Sequence, residues 1–76
     1  MLAAALRDSE QGLELLATLR VYLRSGTLRS AAECMHLHHS SVSHRLVKLS
    51  RHLGFTVDAI ENRARATAMI MLIDTG

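Results

Sequence analysis

The stretch Ala31 to Leu53, AAECMHLHHSSVSHRLVKLSRHL, decides the fold. Two alanines at 31 and 32 sit where a short helix must let a neighbour approach closely. His36 follows where a turn needs a positive φ, a region histidine tolerates better than most non-glycine residues. Leu37 then returns to the apolar pattern. From about His39 to Leu53, Val42, Leu46, Leu49 and Leu53 recur at i, i+4, i+7 and i+11, a narrow helical stripe that must face a core. The opposite side of that wheel carries Ser40, His44, Val47, Lys48 and Arg51. Two helices joined by a tight turn, the second apolar behind and basic or hydroxylated in front, are expected to form a helix-turn-helix.

Outward from this unit the pattern stays helical. Asp8 and Ser9 are N-cap candidates for a helix from about Glu10 to Arg24, with Leu15, Leu16, Leu19, Tyr22 and Leu23 on one face and Glu14 and Thr18 opposite. Ser25-Gly26 ends it. Thr27 caps the next helix, whose inner stripe is Leu28, Ala31, Ala32 and Met35. Gly54 ends the helix from His39. Asp58 and Glu61 make an Asp-x-x-Glu start for a last helix from about Ile60 to Ile73. Residues Leu2 to Leu6 look like the end of a further helix. The expectation is an all-α bundle of four to five helices, one domain over 1–76 with its core in 9–74. Of 76 residues, 49% are hydrophobic, none is proline and only Tyr22 and Phe55 are aromatic, which suits helices better than a β-sandwich.

The run Ala66 to Ile73, ATAMIMLI, is apolar all round and far shorter than the roughly 20 residues a bilayer requires. It belongs inside the domain or against a partner, which makes Met69, Ile70, Met71, Leu72 and Ile73 a candidate dimer interface.

A net charge of +2 is modest, but its distribution is not. No Asp or Glu falls between Glu33 and Asp58, and that window holds Arg45, Lys48, Arg51 and all five histidines. In the first half of the second helix of the motif, His39, Ser40, Ser43 and His44 are candidates for base edges, since serine and neutral histidine both donate and accept. His38, Ser41, Arg45, Lys48 and Arg51 suit phosphates. The bland alternative is a solvated basic face.

Other chemistries find little support. The histidines contain no i, i+4 pair of the kind that forms a metal-binding face, and the single Cys34 excludes a disulfide framework or a cysteine-rich zinc site. No glycine-rich phosphate loop or Gly-x-Ser-x-Gly elbow is present, so neither catalysis nor a cofactor is expected. The opening MLAAAL lacks a basic segment before it, a poor signal peptide, and a cytoplasmic location is expected. The competing reading is a helical protein-interaction or dimerisation module using residues 66–73.

From Asp8 onward the chain resembles the C-terminal helix-turn-helix domain of PucR-type transcriptional regulators, the purine-catabolism regulators, shared with carbohydrate diacid regulators. The residues that carry the resemblance are Asp8, Gly12, Glu14, Leu15, Leu16, Thr18, Leu19, Tyr22 and Leu23, then Ala31-Ala32, Leu37-His38, Arg45-Leu46, Leu53-Gly54, and Glu61 with Arg63. The resemblance implies binding of double-stranded DNA by a bacterial regulator, as a homodimer or beside an N-terminal sensory region, with the present chain a C-terminal fragment. His39-Ser40-Ser41 depart from the family's usual Arg-Asn-Thr, and His44 stands where tyrosine is usual. The departures remove a formal charge at 39 and leave the preferred bases unassigned.

Overall fold

The computed structural model describes Leu6 and residues 8–75, so all but the last residue of the segment Leu2 to Leu6 lies outside the described residues. Its elements are α1 (Glu10–Ser25), α2 (Leu28–Met35), α3 (His39–Leu53), a 3-10 turn (Ile60–Asn62) and α4 (Arg63–Thr75), with no strand among the described residues. The all-α expectation holds.

The boundaries of α1 and α2 have local causes. Ser9 Oγ accepts the Gly12 N–H at 2.9 Å and opens α1, and Gly26 at φ 88° closes it. Thr27 Oγ1 accepts the Ser30 N–H at 3.1 Å and opens α2. Its end is a Schellman turn, with the Leu37 N–H bonded to Ala32 O at 2.9 Å and the His36 N–H to Glu33 O at 3.2 Å. His36, at φ 56° and ψ 41°, occupies the left-handed position that glycine usually takes.

The core is built where the apolar stripes meet. Leu15, Leu16 and Leu19 of α1, Ala31 and Ala32 of α2, and Val42, Leu46 and Leu49 of α3 are buried together, with Leu37 packed against them. Gly12 is buried as well, because the Leu6 carbonyl oxygen lies 2.0 Å from where a Cβ would stand. Only a hydrogen fits there. Phe55 and Val57 seal the loop after α3, while Ser50 Oγ donates to Leu46 O at 2.8 Å and accepts the Val57 N–H at 3.0 Å.

Two expectations need correction, at Thr18 and at the start of the last helix. Thr18, placed opposite the apolar face of α1, is fully buried; it lies at the edge of the leucine stripe, and its hydroxyl donates to Glu14 O at 2.8 Å. That bond removes the cost of burying an unpaired hydroxyl. Asp58 does not cap the last helix: Ala59 holds the N-cap position with no side-chain bond, and a 3-10 turn precedes the α-helix at Arg63. This segment is held instead by α1, since the Tyr22 hydroxyl donates to Asp58 O at 3.2 Å and Arg63 Nη2 to Leu23 O at 3.0 Å.

The apolar run of α4 divides by face. Ala66, Ile70 and Ile73 are buried in the domain's own core and Met69 packs against it, whereas Met71 and Leu72 are exposed. Ile70 and Ile73 are therefore core residues of a single chain, a narrowing of the five-residue interface expected from the sequence. At its far end α4 is tied to α1 by an ion pair between Arg20 and Asp74.

Candidate nucleic-acid interface

The side of α3 turned away from the core is one continuous stripe. Ser40, His44, Val47 and Arg51 are all exposed and lie at i, i+4, i+7 and i+11, the mirror of the inward set Val42, Leu46, Leu49 and Leu53. Three of the four can hydrogen-bond, and Val47 is apolar. The flanks differ in depth: Ser41, His39 and His38 are exposed, and Ser43, Arg45 and Lys48 are half-buried.

His38 does more than line this surface. It is the N-cap of α3: its Nδ1 accepts the Ser40 N–H at 3.2 Å and stands 2.5 Å from Ser40 Oγ. The His39 ring lies against it, centroids 4.2 Å apart and tilted by 34°. Because Nδ1 is the acceptor, the ring proton of neutral His38 belongs on Nε2.

Arg45, expected from the sequence to meet a phosphate, is half-buried. On the helical wheel it falls between the core stripe and the flank facing α1, and its Nη1 donates to Thr18 Oγ1 at 3.4 Å. Its guanidinium ties α3 to α1 while still lining the groove between them.

That groove holds a residue the sequence argument overlooked. Glu14 and Gln11 of α1 line it opposite Ser41, His44 and Lys48 of α3. The window free of acids along the chain is thus not free of them in space, since α1 brings one carboxylate to its edge. Nothing in α3 itself could have shown this. The spacing of Glu10 and Glu14 one turn apart on α1 was the available signal.

Among the described residues, no three His, Cys, Asp or Glu side chains are grouped so as to hold a metal ion. No helix among them is long and apolar enough to cross a membrane.

The family model of the PucR C-terminal helix-turn-helix domain matches residues 15–72. The chain belongs to that family. No curated protein and no solved structure gives a significant match. The matched region runs from the middle of α1 to α4 and includes the whole of α2, the turn and α3, so family membership and the exposed stripe concern the same unit. A helix-turn-helix regulatory domain of the PucR type points to DNA binding and to a non-enzymatic role.

Proposed function

We propose that the chain is the sequence-specific DNA-binding domain of a bacterial transcriptional regulator, with α3 laid in the major groove. The observation that carries this reading is the unbroken outward stripe from Ser40 to Arg51 on a helix whose reverse side is committed to the core. Ser40 and His44 face base edges, with His39 and Ser43 at the margins. Lys48 and Arg51 meet phosphates, joined by Ser41 and the Nε2–H of His38 at the start of the helix. Arg45 positions α3 against α1 and adds charge behind the contact.

A titration of duplex DNA by fluorescence anisotropy at increasing salt tests the proposal. With Lys48 and Arg51 as the principal cations, log K should fall by about 2 per decade of salt for each domain, at ~0.9 per neutralised phosphate. Binding that ignores salt, or no binding by the folded chain, sinks it.

A second reading has its own observation. Ile60 is 88% exposed and Met71 63%, and with Ala64 and Ala68 they line one shallow groove on the outer side of α4. The proposed use is homodimer assembly, with Leu72 at its margin, which would set two copies of α3 roughly 34 Å apart or a multiple of it. Sedimentation of the wild type against Met71→Asp separates the two readings. Loss of a dimer with DNA contacts kept in a tethered pair assigns α4 to assembly alone.

A further inference from the structure

We propose that Val47 reads a thymine methyl group, so that the DNA recognised by this domain carries a thymine facing the middle of α3. The inference rests on the proposal that α3 enters the major groove. Among the large apolar side chains left exposed on the described residues, Val47 is the one on α3, at 43% exposure. The core does not use it: Val42, Leu46 and Leu49 fill the buried side of the same helix. It stands between His44 and Arg51 on the outward stripe. With a rise of 1.5 Å per residue, it lies about 4.5 Å beyond His44 along the helix, a little over one base step of roughly 3.4 Å.

The chemistry of the groove then limits what Val47 can face. In the major groove guanine, cytosine and adenine present hydrogen-bonding atoms, and thymine alone adds an apolar group, its 5-methyl. An isopropyl group pressed on a donor or acceptor strips its water and returns no bond, which is costly. Pressed on the thymine methyl, both apolar surfaces leave water together. Valine's branched Cβ also keeps it nearly rigid on a helix, so little rotamer freedom is lost in the contact. His44 and Arg51 on either side supply hydrogen bonds to neighbouring positions, and Val47 supplies discrimination by shape.

The test is a methyl deletion in the DNA. A duplex is selected by the chain from a randomised pool, and each thymine is replaced in turn by deoxyuridine, which lacks only the methyl. One replacement per half-site should weaken binding by about fourfold, the worth of one buried methyl. The same replacement should leave Val47→Ala unaffected. If selected duplexes tolerate every deoxyuridine without loss, or if the penalty persists unchanged in V47A, the assignment is overturned while major-groove binding stands. If no duplex is enriched and no salt-sensitive binding is seen, the major-groove proposal fails and this one with it. The deoxyuridine scan uses the wild-type chain, so it does not depend on how the variant folds.

Discussion

The imidazole Nδ1 of His38 accepts the backbone N–H of Ser40 at 3.2 Å, so α3 begins on a histidine cap where serine, threonine, aspartate or asparagine is the common choice. One side chain both starts the proposed reading helix and presents a ring N–H at the helix's positive end.

The first prediction follows from that bond. His38→Ala should destabilise the fold by roughly 0.5 to 2 kcal/mol, the usual cost of losing an N-cap, and His38→Asn should restore most of it. Urea denaturation of the three proteins measures both. Equal stability of the alanine variant would show that the cap contributes nothing. If Nε2–H meets a phosphate, H38N should remain weaker in DNA binding even where its stability has recovered.

The turn between α2 and α3 holds His36 at φ 56°, a conformation that costs a side-chain-bearing residue what glycine avoids. His36→Gly should therefore raise stability by about 0.5 to 1 kcal/mol, with the Schellman bonds to Ala32 and Glu33 kept. His36→Val should lower it by more than that, because a branched Cβ fits this region poorly. Thermal melting of the pair decides, and the expected order is glycine, histidine, valine.

On α4, neighbouring apolar residues should behave differently. Ile70→Ala removes part of a buried core side chain and is expected to cost about 2 to 5 kcal/mol. Met71→Ala, on the exposed side, should change the stability of a single domain by less than about 0.5 kcal/mol. Chemical denaturation at low protein concentration is the appropriate measurement. Comparable losses at both positions would mean that the two faces are not distinguished.

Glu14 shares a groove with His44 and Lys48, so its carboxylate opposes the field that draws phosphates. Glu14→Gln should tighten DNA binding by roughly threefold in dilute salt, with the gain fading as ionic strength rises. Anisotropy at two salt concentrations shows both effects. An unchanged affinity at low salt would place Glu14 outside the reach of bound DNA.

Local interactions explain why so much of this fold was legible. Ser9, Thr27, Gly26 and Gly54 act within four residues of themselves, and the stripe Val42, Leu46, Leu49 and Leu53 repeats at the helical period. The left-handed turn at His36 and the span of α3 followed from the same short-range rules. The outward face was legible for that reason too, as the complement of the inward one, although Lys48, read as part of it, is half-buried at its flank.

What the sequence by itself determined is thus the helices from α1 to α3 with their ends, the presence of a last helix, the turn and the two faces of α3, because each depends on bonds and periodicities within one or two turns. The tertiary structure alone decided the remainder. It set Glu14 across a groove from Lys48, turned Arg45 toward Thr18, held Asp58 by the Tyr22 hydroxyl instead of using it as a cap, and drew Ile70 and Ile73 inward while leaving Met71 and Leu72 outside. An all-apolar run such as ATAMIMLI has no polar side to orient it. Only packing against α1, with Arg63 on Leu23 at one end and Arg20 on Asp74 at the other, chooses which of its faces is buried.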